Sequence, residues 1–256
     1  MSAPEKLVFD DTRALAYHRL RARGDGIARP GIVFLGGFRS DMTGTKALFL
    51  EDWAAARGRA FLRFDYRGHG ASSGRFEDFG IGDWAEDAAA VLTRLTEGPQ
   101  ILVGSSMGGW IALLLARAMP DRVAGLVGIA AAPDFTEDSM WAAFDDGQRT
   151  ALMAEGQVAL PSDYSDEPYV ITRHLIEDGR RNLVLREALA LPFAVRLLHG
   201  TADADVPVDR GLALLAHMDC PDARLTLVKD ADHRFSTETD LSIIAATLQE
   251  VTALAR

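Results

Sequence analysis

The sequence of 256 residues contains a single cysteine, Cys220. An internal disulfide needs two cysteines, so the fold does not depend on a disulfide framework. Proteins without disulfides are typical of reducing compartments. No apolar run approaches the roughly 18 residues of a membrane-spanning helix, and the first residues show no charged segment followed by an apolar one, the pattern of a secretory signal. These absences predict a cytoplasmic protein without a membrane span.

The sequence also lacks an excess of positive charge. It has 27 lysine and arginine residues against 37 aspartate and glutamate residues, which gives a formal net charge of −10. Nucleic acids and anionic membranes attract basic surfaces, so neither is the expected partner. Hydrophobic residues make up 48% and charged residues 25%, as in ordinary globular proteins. A chain of this length can bury one large core, which favours one domain with an insertion over two domains.

Apolar strands and helical segments alternate along most of the chain. Two short alternating segments at 6–10 and 14–21 are typical of an antiparallel pair. After them, continuously apolar segments indicate strands buried on both faces, and apolar residues spaced three or four positions apart indicate helices. The predicted strands are 31–35, 60–65, 100–103, 123–130, 193–200 and 224–228, and the predicted helices are 46–57, 81–95, 110–118, 208–218 and 240–254. This order predicts an α/β fold with a mostly parallel sheet and helices on both faces.

Residues 132–191 interrupt this alternation. The segment is rich in aspartate and aromatic residues and is divided by several prolines. Its predicted helices are 139–144, 147–155 and 169–177, with stops at Gly156 and Gly179. We expect 132–191 to be a small cap insertion over the sheet edge. The core then comprises 1–131 and 192–256.

The segment 100–110 combines an apolar strand, the pattern Gly-x-Ser-x-Gly and the start of a helix. It reads Gln-Ile-Leu-Val-Gly-Ser-Ser-Met-Gly-Gly-Trp, with Ser106 as the central serine. In a nucleophile elbow the serine lies on a sharp strand-to-helix turn that exposes its hydroxyl above the sheet. Gly104 and Gly108 leave no Cβ to clash where strand and helix backbones approach each other. The context predicts Ser106 as a nucleophile, and a non-catalytic Gly/Ser loop is the alternative.

A serine nucleophile needs a base within hydrogen-bond reach and an acid that orients this base. Loops at the carboxyl ends of parallel strands share one crevice. Among six histidines, His69, His199 and His233 end or follow predicted strands. His233 follows the last strand, and Asp203 follows the strand before it. Ser106, Asp203 and His233 therefore occur in the order nucleophile, acid, base that is typical of serine hydrolases with parallel sheets, and they are the predicted catalytic triad.

Other polar residues near the predicted triad are assigned structural roles. Asp205 is the competing acid, but an aspartate just before a predicted helix is more typical of a cap or brace. Asp232 is expected in the turn beside the base. We expect His199 to make a structural hydrogen bond and His69 to brace its loop.

Acyl transfer also requires N–H donors that hold the oxyanion. Met107 follows the nucleophile at the start of a helix, and Phe38 follows Gly36-Gly37 after the first buried strand. The backbone N–H groups of Phe38 and Met107 are therefore the predicted oxyanion donors. The histidines and acidic residues do not have the spacing of metal ligands, and the glycines match neither the dinucleotide pattern nor the phosphate loop. We expect no metal and no cofactor.

Six short motifs, spread over nearly the whole chain, carry a family resemblance. They are Gly44-Thr45-Lys46-Ala47, Arg63-Phe64-Asp65-Tyr66, residues 98–110, Leu160-Pro161-Ser162 with Tyr164-Ser165, Arg196-Leu197-Leu198-His199-Gly200 and Asp232-His233-Arg234. With them the chain resembles the α/β-hydrolase superfamily and, within it, palmitoyl-protein thioesterases that also act as acyl-glucuronide esterases. The resemblance implies the α/β-hydrolase fold and the triad roles given above. It also implies cofactor-free hydrolysis of acyl thioesters and of carboxylic esters, including acyl glucuronides. A small-molecule ester or an acylated protein is the expected partner.

The chain departs from this group in two places. The group is mitochondrial, whereas this N-terminus shows no targeting segment, which agrees with the cytoplasmic expectation. Residues 132–155 match less well, and cap residues decide which acyl group fits. Trp110 and Trp141 are predicted to line an acyl pocket, with core packing as the alternative. Arg39 is predicted to attract an anionic leaving group such as a glucuronate, as is Arg234, with solvated surface charge as the alternative.

Two further classes of function are compatible with the sequence. The same triad supports carbon–carbon bond hydrolysis, perhydrolysis or general carboxylesterase activity, which is the second interpretation. A dehalogenase is disfavoured because that chemistry uses an aspartate where Ser106 stands. A non-catalytic binding module is the third and least favoured interpretation, because the triad and the oxyanion loop would then have no function.

Overall fold

The structure is a computed structural model that describes residues 3–160 and 168–255. Twelve strands lie within these residues. In chain order they are β1 (Glu5–Val8), β2 (Ala14–Leu20), β3 (Gly31–Leu35), β4 (Phe61–Phe64), β5 (Gln100–Ser105), β6 (Val123–Ile129), β7 (Gln157–Leu160), β8 (Tyr169–Thr172), β9 (Leu189–Ala190), β10 (Val195–Gly200), β11 (Met218–Asp219) and β12 (Ala223–Val228).

Eight strands form one central sheet in the order β1-β2-β4-β3-β5-β6-β10-β12. The six strands from β4 to β12 in this order are parallel to one another. β2 is antiparallel to β4, and β1 is antiparallel to β2 at the edge. The mostly parallel sheet and the antiparallel opening pair that the sequence predicts are therefore confirmed. β5, which carries the serine turn at its end, lies in the interior of the sheet.

Seven α-helices lie within the described residues: α1 (Thr45–Ala56), α2 (Ile81–Leu95), α3 (Met107–Ala118), α4 (Asp146–Glu155), α5 (Arg173–Arg181), α6 (Val208–His217) and α7 (Glu238–Leu254). Short 3-10 helices occupy Gly24–Ala28, Phe76–Asp78 and Pro120–Arg122, and a π-helical turn occupies Thr136–Trp141. The five helices predicted for the core are confirmed within three residues at each end. None of the described helices is both long enough and apolar enough to cross a membrane.

The core lies on both faces of the sheet. In β3, Val33 and Leu35 belong to one apolar cluster, which includes the buried Trp84 of α2. Ile32 and Phe34 belong to the other cluster, with residues of α1 and α7. Successive side chains of a strand point to opposite faces, so these strands are apolar throughout because both faces are covered. The sheet, packed on both faces, therefore holds the loops at the carboxyl ends of its strands in defined positions.

The structure corrects two expectations about the cap. Residues Tyr169–Thr172, predicted as the start of a helix, form strand β8, which pairs antiparallel with β7. Val170, Ile171 and Thr172 are β-branched, and such residues favour strands when a partner strand is present. Gly179 does not end α5 but lies inside it, packed against Thr136. The motif residues Pro161, Ser162, Tyr164 and Ser165 lie outside the described residues.

A buried aspartate joins the two ends of residues 132–191. The Asp134 carboxylate accepts hydrogen bonds from the backbone N–H groups of Val184, at 2.8 Å, and Leu185, at 3.0 Å. Asp134 is completely buried, and burial raises the pKa of its carboxyl despite these hydrogen bonds. From the core, the Trp110 indole N–H donates to the Asn182 carbonyl at 3.0 Å. The Asp134 contacts thus connect two parts of the segment with each other, and the Trp110 contact connects the segment with helix α3.

Candidate active site

Ser106 lies on a strained turn between β5 and α3. Its backbone has φ 54° and ψ −118°, in a region that residues with a Cβ rarely adopt. The surrounding backbone holds it there, because the Ser106 N–H donates to the Ile129 carbonyl at 2.9 Å. The Ser106 carbonyl in turn accepts from the N–H groups of Gly109 at 2.9 Å and Ala132 at 3.1 Å. A serine held in such a conformation at a strand-to-helix turn matches the geometry of a nucleophile elbow.

Two glycines make this turn possible. A Cβ on Gly104 would overlap the carbonyl of Gly108, and a Cβ on Gly108 would overlap the carbonyl of Leu35. The backbones of β5, α3 and β3 therefore approach one another more closely than any side chain allows. The expectation that both glycines serve a close backbone approach is confirmed.

His233 connects the serine to a buried carboxylate. Its Nε2 lies 3.1 Å from Ser106 Oγ, and its Nδ1 lies 2.9 Å from Asp203 Oδ2. The three residues come from the loops after β5, β10 and β12, so they meet only because the parallel strands end at one edge. Since a carboxylate only accepts hydrogen bonds, the Nδ1–H donates to it, and Nε2 is left as an acceptor for the serine hydroxyl.

Asp203 is held in its ionised form by three hydrogen bonds. Burial by itself would raise its pKa, but the hydrogen bond from His233 and the Val206 N–H outweigh burial and lower the pKa. The Val206 N–H donates to Oδ1 at 2.8 Å, and the Asp205 N–H donates at 3.0 Å. The carboxylate is therefore charged at neutral pH and fixed in orientation.

The rival polar residues lie in different positions. His199 Nε2 donates to the Val206 carbonyl at 2.8 Å, which confirms its predicted structural hydrogen bond. The Asp232 carboxylate accepts from the Phe235 N–H at 3.0 Å, which confirms its predicted place in the turn. The N-cap position of α6 is Pro207, so Asp205 does not cap this helix, while its alternative role as a brace stays a prediction.

The predicted oxyanion donors lie on two sides of the serine. Met107 is the first residue of α3, and the N–H of a first helical residue has no partner within its helix. In the loop after β3, a Cβ on Gly37 would lie 3.5 Å from the Ser106 Cβ, so this loop passes directly beside the serine. The Phe38 ring packs edge-on against Phe76, with 4.9 Å between ring centroids. The assignment of the Phe38 and Met107 N–H groups remains a prediction.

A cavity of about 630 Å³ opens beside Ser106 and His233, within the size range of small-molecule sites. Its apolar wall is formed by Phe34, Phe38, Ala132, Phe135, Met140 and Val206, and its charged residues are Arg39, Asp41, Lys46, Asp205 and Arg234. Phe135, Ser139, Met140 and Tyr169 reach it from the cap segment. Residues of the loops after β3 and β12 and residues of the segment 132–191 thus line the same cavity as Ser106.

The three predicted substrate-binding residues have different surroundings. The Arg39 guanidinium lies at the cavity, 4.4 Å from the Phe76 ring centroid, and forms an ion pair with Glu77 at 3.2 Å. Trp110 is completely buried in the core and is not among the lining residues. Trp141 is also not a lining residue, and the Arg180 guanidinium stacks on its ring at 4.4 Å. The expectation that the two tryptophans line the acyl pocket is therefore corrected in favour of packing roles.

Lys46, Met140 and Tyr169 line the cavity but were not predicted from the sequence as site residues. The signal for Lys46 was its place in one of the motifs that carry the resemblance. Tyr169 could not be identified as a lining residue because the sequence predicts a helix for its segment. Met140 carries no signal, since an isolated methionine in a short helical pattern is indistinguishable from a core residue.

One group of potential metal ligands occurs among the described residues. Single ligand atoms of Asp203, Asp205 and His233 all lie within 4.8 Å of one another. The spacing of these residues along the chain did not reveal the group, because the fold brings them together. Asp203 and His233 are already hydrogen-bonded to each other, and the expectation of a metal-free site remains a prediction.

The sheet topology, the strained serine turn and the order of Ser106, Asp203 and His233 together define the class of α/β-hydrolases. Residues 40–175 match the model of the α/β-hydrolase fold family. The chain belongs to the α/β-hydrolase family. It is similar over nearly all its length to the rat palmitoyl-protein thioesterase ABHD10, mitochondrial, with 36% identity over 93% of this chain and 78% of the relative. The human protein of the same name is 34% identical over 94% of this chain and 77% of its own length.

Solved structures agree with this placement. A hydrolase from Agrobacterium vitis S4 is 41% identical, with a TM-score of 0.92 over 97% of both chains. The α/β-hydrolase domain-containing protein 10 from mouse is 34% identical, with a TM-score of 0.88 over 98% of both chains. The predicted fold class, the resemblance and the hydrolase activity are confirmed: the chain is a hydrolase that acts on ester or thioester bonds.

The same comparisons correct the predicted localisation. The relatives from rat, mouse, cattle and human are named mitochondrial proteins, which points to mitochondria rather than the cytoplasm, so the cytoplasmic prediction is wrong. It relies on the single cysteine and on the absence of a recognisable signal or targeting pattern among the first residues. A single cysteine is typical of any reducing compartment and does not distinguish one from another.

Proposed function

We propose that the chain is a serine hydrolase that cleaves acyl thioesters and carboxylic esters through an acyl-enzyme on Ser106. The observation that carries this proposal is the continuous hydrogen-bonded path from Asp203 through His233 to Ser106, with distances of 2.9 and 3.1 Å. The path ends at a serine whose strained backbone presents its hydroxyl to a cavity. The names of the relatives, palmitoyl-protein thioesterases, support thioesters as one substrate class.

In the first half of the reaction the Ser106 hydroxyl attacks the acyl carbonyl. His233 Nε2 accepts the hydroxyl proton and then donates it to the departing thiolate or alkoxide, which leaves the acyl group on Ser106. The ionised Asp203 keeps the proton of the neutral ring on Nδ1 and stabilises the imidazolium that forms. In the second half, water loses a proton to the same imidazole and attacks the acyl-enzyme. The bond between the acyl carbon and Oγ then breaks, and the imidazolium returns its proton to Oγ, which releases the acid and restores the serine hydroxyl.

The developing oxyanion is held by backbone donors. The N–H groups of Met107 and Phe38 are the proposed pair, one from the start of α3 and one from the loop after β3. Fixed donors of this kind stabilise the charge without reorganisation, and one such donor contributes about 3–4 kcal/mol in a serine protease.

The cavity at Ser106 has a neighbouring pocket, and the two are the proposed sites for the two halves of the substrate. Phe38, Phe135 and Met140 form apolar wall and are the proposed acyl-binding surface. A second pocket of about 390 Å³ adjoins it and shares the residues Arg39 and Tyr169. We propose that this polar pocket receives the leaving group, and that Arg39 favours leaving groups with a carboxylate, including the glucuronate of acyl glucuronides.

Residues 132–191 are the proposed cap, and 1–131 with 192–256 the proposed core. The support is that the cap segment contributes Phe135, Met140 and Tyr169 to the cavity wall while the core carries the triad. We therefore assign the choice of acyl group to the cap and the chemistry to the core.

A panel of substrates tests this function. Palmitoyl and shorter acyl thioesters, neutral aryl esters and acyl glucuronides are compared by kcat/KM in the purified protein. We expect turnover of thioesters and esters, with product release of the free acid, and none in a Ser106→Ala variant. Hydrolysis of no member of the panel, or equal rates in the Ser106→Ala variant, contradicts the proposal.

Removal of the Arg39 charge tests the proposed leaving-group site. In an Arg39→Gln variant we expect kcat/KM for an acyl glucuronide to fall about tenfold relative to a neutral ester of the same acid, as for loss of one partly exposed charge-assisted hydrogen bond. Arg75, whose side chain is 78% exposed and which also forms an ion pair with Glu77, provides the matched control as Arg75→Gln. An unchanged ratio in the Arg39 variant rejects the role of Arg39.

A further inference from the structure

Lys46 links the first helix of the fold to the loop that carries His233. It is the second residue of α1, it is partly buried, and it lines the cavity that contains Ser106. Its ammonium group donates a hydrogen bond to the backbone carbonyl of Arg234, a residue 188 positions further along the chain. Arg234 directly follows His233, so this contact acts on the backbone next to the proposed base.

The His233 loop has a strained backbone on both sides of the base. Asp230 and Phe235 have φ values of 60° and 46°, in the left-handed region that non-glycine residues rarely adopt. On the side that precedes His233, the loop is attached to the end of β10: the Asp230 N–H donates to Thr201 Oγ1 at 2.9 Å.

A second attachment on the same side is the Ala231 carbonyl, which accepts from the Ala202 N–H at 3.0 Å. On the side that follows His233, the bond from Lys46 ties the loop to α1. The base thus lies between two anchors that come from different elements of the core.

Burial and the neighbouring charges act on the pKa of Lys46 in opposite directions. Burial lowers the pKa of Lys46, and the carboxylates of Asp232 and Asp240 oppose this by favouring the charged form, while Arg234 disfavours it. A charged donor forms a stronger hydrogen bond to a carbonyl than a neutral donor does. A charged donor partly withdrawn from water therefore suits an anchor for this loop.

We propose that Lys46 is a positioning residue for the hydrolysis, which holds Arg234 so that His233 Nε2 stays aligned with Ser106 Oγ. This inference rests on the proposed function. Its physical basis is that proton transfer requires hydrogen-bond distance between base and hydroxyl, and a displacement of about 1 Å can cost roughly a hundredfold in rate. Lys46 acts through the loop and takes no proton itself.

The test compares Lys46→Met with Lys6→Met. Met retains the length of the apolar stem and removes the ammonium. Lys6, on edge strand β1, also donates to a distant backbone carbonyl, that of Ala71, so its variant controls for the loss of a lysine–carbonyl tether elsewhere. We expect Lys46→Met to lower kcat about 10- to 100-fold with KM changed less than about threefold. Lys6→Met is expected to leave both unchanged.

A second measurement, the rate at which a neutral fluorophosphonate labels Ser106, should fall in parallel with kcat. This reagent depends on activation of the serine and carries no charge that Lys46 could bind. If Lys46→Met does not fold, Lys46→Gln, which keeps a polar end on a shorter stem, is measured in its place.

A kcat within twofold of wild type, or an increase of KM alone, overturns the proposal, because Lys46 would then be dispensable or a substrate contact. An unchanged labelling rate overturns it as well. The wild-type protein separates this failure from that of the proposed function. If wild type is not labelled and does not turn over substrate, the proposed function fails, whereas equal labelling of wild type and Lys46→Met removes only the role of Lys46.

Discussion

Ser106 combines an unfavourable backbone conformation with complete backbone hydrogen bonding. A non-glycine residue at φ 54° costs on the order of 1–3 kcal/mol. Bonds to Ile129, Gly109 and Ala132 hold the residue from the end of β6 and the start of α3. The strained backbone conformation is thus maintained by the neighbouring elements, and Oγ lies 3.1 Å from His233 Nε2.

His69 is a buried histidine outside the triad. Its side chain is enclosed by aromatic rings, including Tyr66, Phe76 and Trp84, and its Nδ1 lies 3.2 Å from the Arg67 carbonyl. The prediction that it braces its loop is confirmed. Burial lowers its pKa from 6.5 to about 4, although the hydrogen bond to Arg67 opposes this shift.

The low pKa of His69 makes stability depend on pH. A histidine whose folded pKa lies below its unfolded value stabilises the fold fully above the unfolded pKa, and this contribution is lost as the pH falls from 6.5 to about 4. As the pH falls over this interval, we expect the free energy of unfolding of wild type to decrease by up to about 3 kcal/mol more than that of a His69→Gln variant. Urea denaturation at pH 7.5, 5.5 and 4.5 measures the difference, and parallel pH profiles of the two proteins contradict it.

At the scale of elements, the turn from β5 to α3 depends on the absence of side chains. A Cβ on Gly108 would overlap the Leu35 carbonyl. Relief of this overlap would require α3 and β3 to move apart. We expect Gly108→Ala to lower the free energy of unfolding by at least about 2 kcal/mol, the scale of overpacking in a tight core.

Gly44→Ala is the matched control for Gly108→Ala, because its added Cβ would lie 3.6 Å from the nearest atom, the Asp41 carbonyl oxygen. Denaturant unfolding of both variants checks the prediction. Equal stability of the two variants shows that the backbones at the turn have room to separate.

The strands and helices of the core could be predicted from the sequence, and so could cap helix α4, which ends at Gly156 as expected. The rest of the cap could not. Helix α2 lies at the predicted bounds, Ile81–Leu95, because one buried apolar stripe determines it. In contrast, Tyr169–Thr172 forms a strand only because it pairs with Gln157–Leu160. The sequence of such a short segment does not indicate which strand it will pair with. Periodicity therefore determines elements that pack on the large sheet and fails for those that depend on one local pairing.

At the scale of the whole molecule, the site is assembled from distant parts of the chain. The proximity of Ser106, Asp203 and His233 could be predicted because each follows a recognisable strand and parallel strands end together. The contact of Lys46 with Arg234 could not be predicted, since it depends on how α1 and the last loop face each other. The placement of Trp110 failed for the same reason, because a tryptophan after the serine packs into the core or into a cavity according to the tertiary fold.

The cap is expected to set the acyl-chain length. Met140 reaches the cavity from the π-helical turn of the cap, so Met140→Trp should narrow its apolar part. We expect kcat/KM for a palmitoyl thioester to fall about tenfold or more relative to that for a butyryl thioester, as one or two kcal/mol of lost fit would give.

Met153 provides the control for Met140. It lies on cap helix α4 with 48% of its surface exposed, and Met153→Trp should leave the ratio unchanged. A Met140→Trp variant with the wild-type ratio contradicts the proposed acyl surface.

The central claim, that Ser106 is the nucleophile, is tested most directly by locating a covalent label. The protein is treated with a fluorophosphonate and analysed by intact mass and by peptide fragmentation. We expect one label, on Ser106, that is lost in Ser106→Ala and retained in Ser105→Ala, the variant of the adjacent serine. A label on another residue, or labelling of Ser106→Ala at the wild-type rate, would contradict the account.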